Sequence, residues 1–163
     1  MTILLFGKIV NIDPRFGNNF IDSNVLDRKG TPEDNAVDAI LRLAEAGEFT
    51  LLLPYSVKEE LEHSNTPQEV KRRAAGLIFS MRVQLTEQEK ATHRRIRDLI
   101  RGNAQSNQHD RDAFHLVESQ KNGGRHFITN DGRLLKKAAE IWQALLIRVL
   151  TPKEFMDDYF PGA

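Results

Sequence analysis

The sequence predicts an α/β fold of three layers, in which helices flank a central, mostly parallel sheet. Short apolar segments alternate with segments whose apolar residues recur at helical spacing, and strands separated by helices pair in parallel. The segment at residues 49–54, Phe-Thr-Leu-Leu-Leu-Pro, is typical of a strand buried on both faces. The chain has 163 residues, 40% hydrophobic and 28% charged, which favours a single domain spanning residues 1–163.

The individual elements are predicted from their boundary signals. Strands are expected at residues 19–21, 49–54, 125–129 and 146–150. Each helix is expected to begin where a capping residue precedes a helical pattern, and these residues are Thr31, Ser56, Thr66, Thr86, Asp110 and Thr151. A polar loop is predicted at residues 103–108, and residues 1–18 are a candidate for an additional strand.

Two helix predictions are specific enough to be checked residue by residue. Ser56 and Glu59 have the spacing of a capping box, in which each side chain accepts from the backbone N–H of the other residue. The helix that begins at Thr66 is expected to present a single apolar stripe made of Val70, Ala74, Leu77 and Met81.

Composition excludes several classes of protein. The chain has no cysteine, which excludes disulfides and thiolate metal sites. No segment approaches the roughly 20 consecutive apolar residues that cross a bilayer, and the apolar start at residues 1–8 has no basic lead, so no membrane association and a cytoplasmic location are expected. The glycine loops that bind phosphates and the Gly-x-Ser-x-Gly elbow of serine hydrolases are missing from the sequence.

Four acidic residues occupy the places where an α/β sheet binds its ligands. Asp22 and Asp131 follow predicted strands, Asp112 lies at the start of a helix, and Glu60 lies one turn into the helix after residues 49–54. Any one of them alone is better explained as a helix cap or a solvated charge. Gathered at one edge, however, four carboxylates would repel one another unless a cation neutralised them, and Mg²⁺ or Mn²⁺ prefers such an all-oxygen environment.

With these residues in place, the chain resembles the PIN-domain nucleases. The resemblance spans residues 19–156 and rests on five segments, which are Phe-Ile-Asp-Ser-Asn-Val-Leu at 20–26, Pro-Tyr-Ser-Val-Lys-Glu-Glu-Leu at 54–61, Asp-Ala-Phe-His-Leu-Val-Glu-Ser at 112–119, Phe-Ile-Thr-Asn-Asp at 127–131 and Ile-Arg-Val-Leu-Thr-Pro-Lys-Glu-Phe at 147–155. It implies a PIN-like three-layer fold and an acidic pocket that binds Mg²⁺ or Mn²⁺. The metal-binding and catalytic residues that it implies are Asp22, Glu60, Asp112 and Asp131, with Asn24 and Thr129 as auxiliary polar residues.

Two of these assignments require a choice between neighbouring acids. Glu60 is preferred to Glu59 because it lies about 60° around the helix from Val57, near the buried face, while Glu59 is expected to be held by the capping box. Asp112 and Asp110 both flank the apolar stripe of their helix, so rotation does not separate them. Asp112 fits the family spacing to Asp131, and Asp110 is kept as an auxiliary ligand candidate.

A basic segment suggests where a substrate could bind. Residues 65–102 are predicted to form a helical insertion, which carries nine basic and four acidic side chains although the net charge of the chain is zero. A patch of this kind can neutralise RNA phosphates without reading bases, but a solvated helical face explains the pattern equally well. The RNA-binding candidates are Lys71, Arg72, Arg73, Arg94, Arg95 and Arg97.

The function predicted from these observations is metal-dependent endonucleolytic cleavage of RNA. The resemblance implies the toxin of a toxin–antitoxin pair, with an antitoxin protein and a homodimer as partners, and a free-standing processing nuclease fits the same chemistry. The alternative is a non-catalytic PIN-like module that binds RNA or a protein. The histidines His109, His115 and His126 lack the paired spacing of a zinc site and are expected to be structural or exposed.

Overall fold

A five-stranded parallel sheet organises the part of the chain that the computed structural model describes, residues 12–63, 65–102 and 108–163. The strands are β1 Asn18–Ile21, β2 Thr50–Leu53, β3 Ile78–Phe79, β4 Gly124–Ile128 and β5 Arg148–Leu150, in the spatial order β3-β2-β1-β4-β5. The helices are α1 Glu33–Glu45, α2 Lys58–Glu62, α3 Gln68–Ala75, α4 Glu87–Arg101, α5 Gln108–Lys121, α6 Gly132–Lys136, α7 Ala138–Leu145 and α8 Pro152–Tyr159. The predicted α/β class is confirmed.

Each face of the sheet carries its own hydrophobic core, because successive side chains of a strand point to opposite sides. Phe20 and Phe127 lie in one core and their neighbours Ile21 and Ile128 lie in the other. Helices α1, α2, α3 and α8 cover the face of Ile21, and α4, α5, α6 and α7 cover the face of Phe20. The molecule therefore has the three layers that the strand and helix pattern predicts.

The order of the strands creates a crevice between β1 and β4. From β1 the chain proceeds to β2 and β3 on one side, and only later returns to place β4 and β5 on the other side. Connections that leave two neighbouring strands in opposite directions open a space at the carboxyl ends of those strands, which is where open α/β sheets bind ligands. The backbone N–H of Asp22 donates to the carbonyl oxygen of Ile128 at 2.8 Å, so the residues that follow β1 and β4 lie side by side.

Several predicted helix starts are confirmed and others are wrong. Thr86 and Thr151 each head a complete capping box, with Glu89 and Glu154 respectively. Thr31 does not cap α1, which begins at Glu33 after Pro32, because the adjacent turn is held by the Asp34 carboxylate accepting from two backbone N–H groups. The predicted capping box of Ser56 is also wrong: Ser56 lies in a 3₁₀ turn, Tyr55–Val57, and its hydroxyl and N–H bond to α5 instead.

The stripe predicted for the helix after Thr66 is interrupted. Helix α3 ends at Ala75, and the next residues form β3, whose Ile78 and Phe79 pair with the end of β2. An apolar, partly β-branched segment beside an open strand edge gains ladder hydrogen bonds by pairing with it, and this outweighs one more helical turn. Met81 is consequently 77% exposed rather than part of an apolar stripe.

Some predictions fall on parts of the chain that are not described. The predicted loop at residues 103–108 lies almost entirely outside the described residues, as does most of the candidate strand at residues 1–18, of which residues 14–16 form a 3₁₀ turn. Among the residues that are described, no helix is long and apolar enough to span a membrane.

A buried hydrogen-bonded chain connects the centre of the sheet to α8. The Asn19 side-chain amide donates to three backbone carbonyl oxygens, so its Oδ1 faces Nδ1 of His126 at 2.7 Å. Nδ1 must therefore donate, which leaves Nε2 of a neutral ring to accept from the Tyr159 hydroxyl at 2.9 Å. Arg148 in turn donates to Tyr159. Burial, followed by the charge of Arg148, lowers the pKa of His126 to about 3.

We expect the fold to lose stability in acid partly through His126. Its pKa is lower in the folded protein than in the unfolded chain, so the unfolded state alone takes up a proton as the pH falls below about 6.5. Between about pH 6.5 and about pH 4.5 this costs on the order of 2 kcal/mol, and His126→Gln should flatten the dependence by about one proton. Urea denaturation at several pH values measures the slope. His63→Gln, at an exposed histidine, is the control, and an unchanged slope in His126→Gln would contradict the assignment.

Candidate active site

The four predicted carboxylates come from separate segments and face one crevice at the carboxyl edge of the sheet. Asp22 directly follows β1, Asp131 follows β4, Asp112 lies in the first turns of α5, and Glu60 lies in α2 after β2. Asp22 and Asp112 are each close enough to the other acids for the charges of Glu60 and Asp131 to raise their pKa. The four acids therefore lie within electrostatic reach of one another at this edge of the sheet.

A hydroxyl and an amide fix the Asp22 carboxylate. Oδ2 of Asp22 accepts from Oγ1 of Thr129 at 3.0 Å and from Nδ2 of Asn24 at 3.3 Å. Thr129 Oγ1 also accepts from the backbone N–H of Asp131, and Asn24 Oδ1 accepts from the backbone N–H of Asn130. Asp22 is 8% exposed, and no hydrogen bond reaches its Oδ1 from any residue that the structure describes. Asn24 and Thr129 thus orient one oxygen and leave the other for a ligand.

Asp131 has a structural role beside its place at the crevice. Its Oδ1 accepts from the backbone N–H of Arg133 at 2.9 Å, which caps α6. This bond holds the carboxylate in a fixed position relative to Thr129, since the Asp131 backbone is itself bonded to Thr129. The cap therefore helps to position Asp131 near Asp22.

Glu60 is held by a histidine that the sequence did not single out for a functional role. Nε2 of His115 lies 3.1 Å from Oε1 of Glu60, and Nδ1 of the same ring lies 2.6 Å from Oγ of Ser56. A carboxylate can only accept, so Nε2 donates to Glu60. His115 follows Asp112 by three residues in α5, a spacing that places both side chains on one face of the helix and could have revealed this role.

The capping box that was expected to hold Glu59 does not form, so it does not distinguish Glu60 from Glu59. In the structure Glu59 is exposed and Glu60 is half-buried against His115. Burial opposes ionisation of Glu60, but the hydrogen bond and the charge of His115 outweigh it and lower the pKa of Glu60. Burial likewise lowers the pKa of His115, yet the hydrogen bond to Glu60 and the charges of Glu60, Asp22 and Asp112 raise it overall. The pair therefore favours a charged imidazolium beside a carboxylate.

Asp110 does not join the carboxylates. Its side chain is 49% exposed and lies 3.6 Å from His93 and 3.8 Å from Arg97, both of which belong to α4. Asp112, by contrast, is 15% exposed. Burial first, then the charges of Asp22 and Asp131, raise the pKa of Asp112 to about 7. Of the two acids, Asp112 is the one that lies beside the other carboxylates of the crevice.

A buried nitrogen without a partner lies next to Asp112. Arg133 Nη1 can only donate, and it lies 3.3 Å from Nε2 of His109, so the proton of a neutral His109 ring sits on Nδ1. Nδ1 is buried and finds no acceptor among the described residues, with Asp112 Oδ2 at 3.9 Å. A buried N–H that lies 3.9 Å from the Asp112 carboxylate, and has no partner in the described part of the chain, is a polar group that the described residues leave unsatisfied.

The donor set suits a hard divalent cation in its chemistry but is not assembled as a metal site. Carboxylate oxygens are the ligands that Mg²⁺ and Mn²⁺ prefer, and a cation would relieve the repulsion that raises the pKa of Asp112. Within the described ranges, however, no three Asp, Glu or His side chains converge closely enough to hold an ion as they stand. Binding would require the carboxylates to close on the ion.

The six basic candidates do not form one surface. Lys71, Arg72 and Arg73 lie on α3, and Arg94, Arg95 and Arg97 lie on α4, in layers on opposite faces of the sheet. Arg73 is largely buried and bonds to Asp38 and to the carbonyl oxygen of Leu26. Arg97 is paired with Asp98 and Asp110. The idea of a single basic helical pair is therefore wrong, because β3 separates the two helices.

We expect Asp112→Asn to stabilise the metal-free protein at alkaline pH. The pKa of Asp112 is about 7 in the folded state against an ordinary value of 3.8, so the folded state holds a proton that the unfolded chain loses, and stability falls as the pH rises through this window. In EDTA at about pH 8, the variant should gain on the order of 2 kcal/mol in free energy of unfolding. Urea denaturation measures it, with Asp110→Asn as the matched control. A loss of stability in Asp112→Asn would contradict the electrostatic picture.

Comparison of the chain with protein-family models, with curated proteins and with solved structures found no match. The resemblance to PIN-domain nucleases therefore remains a prediction that rests on the motifs of the chain itself. What the structure adds is the arrangement of those motifs around one crevice.

Proposed function

We propose that this protein is a PIN-like, metal-dependent endoribonuclease, with Asp22, Glu60, Asp112 and Asp131 as the residues that hold Mg²⁺ or Mn²⁺. The observation that carries the proposal is that four carboxylates from four segments lie within electrostatic reach of one another, at the point where the sheet reverses its strand order. Carboxylates whose pKa values are raised by burial and by one another in a cleft are candidates for a functional site.

The residues around the acids support this chemistry by fixing their orientation. Thr129 and Asn24 hold one oxygen of Asp22 and leave the other directed elsewhere. His115 holds Glu60, and Ser56 holds His115. When bound, a divalent ion supplies positive charge that activates a water molecule and stabilises the charge on a scissile phosphate. The chain needs no nucleophilic side chain for such a hydrolysis, and its contribution is to position acids before the substrate arrives.

A second candidate function is a PIN-like module that binds RNA or a protein without cleaving it. This alternative is favoured by one observation, that no ready-made group of three metal-binding side chains exists among the described residues. Hydrolysis of RNA serves equally the toxin of a toxin–antitoxin pair, partnered by an antitoxin, and a free-standing processing nuclease. Measurements of metal binding and of RNA cleavage distinguish the nuclease from the non-catalytic binding module.

We expect Mn²⁺-dependent cleavage of a single-stranded RNA by the wild-type protein and its loss in Asp22→Asn and Glu60→Gln. The loss should exceed the roughly 100-fold effect of removing a group that merely supports a metal ligand. Glu59→Gln, at the exposed neighbour of Glu60, is the matched control and should cleave normally. Gel analysis of end-labelled RNA measures cleavage, and calorimetric titration with Mn²⁺ measures binding. Equal cleavage by wild type and Asp22→Asn would refute the mechanism, and the absence of both metal binding and cleavage would favour the binding module.

We expect His115 to act as a positioning residue for Glu60. His115→Asn should weaken Mn²⁺ binding and lower the cleavage rate by about 10-fold or more, because Glu60 loses the donor that orients it. Ser56→Ala should give a smaller effect of the same kind, since it leaves the Glu60 contact in place. The readouts are the Mn²⁺ dissociation constant and the rate at saturating metal. A His115→Asn protein that is folded and binds Mn²⁺ as tightly as wild type would exclude this role.

A further inference from the structure

Two arginines that no motif of the sequence singles out flank the carboxylate crevice. Arg111 lies in α5, directly before Asp112, and Arg133 lies in α6, two residues after Asp131. Both are exposed. No carboxylate of the described residues forms an ion pair with either guanidinium, whereas Arg97 and Arg73 each have acidic partners. Their positive charge is therefore available to a ligand.

Arg133 contacts Asp131 directly and lies near Asp112 through the ring of His109. Its backbone N–H donates to Asp131, while its Nη1 reaches Nε2 of His109 at 3.3 Å. His109 is buried, and its Nδ1, which has no partner among the residues that the structure describes, lies 3.9 Å from Asp112. A buried ring thus anchors the guanidinium at the edge of the site. The remaining N–H groups of this planar fork match the geometry of a phosphate.

Arg111 lies on the β2 side of the crevice. It lines a hollow of about 520 Å³ together with Ser56 and His115, the residues that lead to Glu60. In support, the charge of Arg111 contributes to lowering the pKa of Glu60. Tyr55 and Phe114 also line the hollow, so it offers aromatic faces beside a guanidinium, a combination on which unpaired bases stack.

The residues beside these two arginines follow strands on opposite sides of β1, since Arg111 lies beside the residues after β2 and Arg133 beside Asp131 after β4. Along the carboxyl edge, Glu60 follows β2, Asp22 follows β1 and Asp131 follows β4, with β1 between the other two strands. We propose that a single strand of RNA crosses the crevice along this line, with backbone phosphates bound by Arg111 on one side of the scissile bond and by Arg133 on the other. The proposal rests on the proposed nuclease function and specifies the path of its substrate.

Salt-dependent binding of RNA tests this path without requiring cleavage. Anisotropy of a labelled single-stranded RNA is measured in EDTA over a range of KCl concentrations, in an Asp22→Asn background. Each phosphate contact with a single strand contributes about 0.7 to the slope of log K against log salt concentration, so Arg111→Gln and Arg133→Gln should each lower the slope by about 0.7, and the double variant by about 1.4. Lysine at either position keeps the charge and should restore the slope.

Arg42→Gln is the matched control, because Arg42 is exposed at the end of α1, near the opposite edge of the sheet. Unchanged slopes in both arginine variants, an equal change in Arg42→Gln, or no RNA binding at all would overturn the proposed path. Mn²⁺-dependent cleavage by the wild type with unchanged slopes would leave the nuclease function standing and remove only the path. Lowered slopes with no cleavage by the wild type would support the two phosphate contacts and contradict the nuclease function.

Discussion

The parallel pairing of β1 with β4 holds the candidate site together. Its last backbone hydrogen bond, from Asp22 to Ile128, places the residues that follow the two strands next to each other, although more than a hundred residues separate them in sequence. The Thr129 hydroxyl donates to the Asp22 carboxylate and accepts from the backbone N–H of Asp131, which ties the backbone of the second acid to the side chain of the first. The third and fourth acids arrive on α2 and α5, and these segments are tied to each other by Ser56, His115 and Glu118.

This arrangement sets stability against function. Burial and like charge raise the pKa of Asp22 and Asp112, so the metal-free fold carries unfavourable electrostatic energy at the pH where both acids would be ionised in the unfolded chain. The two hydrophobic cores on either face of the sheet offset that cost.

The parts of the fold that local signals determine could be predicted from the sequence. Strands β1, β2, β4 and β5 were placed by their apolar composition, and the capping boxes at Thr86 and Thr151 follow from spacing alone. Strand β3 could not be predicted from the sequence, because Ile78 and Phe79 form a strand only by pairing with the open edge of β2. Ser56 was wrongly made a cap because its actual partner, His115, is 59 residues away in sequence.

The same distinction applies to the site. The four carboxylates could be identified because each follows a recognisable strand or lies near the start of a helix. For the supporting residues, the sequence does not show which partners they contact; these residues are His109, Arg111, His115 and Arg133. Their roles arise from contacts across the crevice, such as His109 with Arg133 and His115 with Glu60. The many basic residues of α3 and α4 led to the prediction of one basic patch. The number of basic residues, however, does not show which face of the sheet each helix covers.

Helix α5 contributes four of the polar side chains around the crevice. Arg111, Asp112 and His115 occupy its first turns, and Glu118, one turn further on, accepts from the backbone N–H of Ser56. Because a helix moves as a stiff rod, a sliding of α5 by even one ångström would displace all four groups in concert. If the protein binds a metal ion and RNA as proposed, a shift of α5 would change both affinities together, since Asp112 and Arg111 are neighbours on that helix.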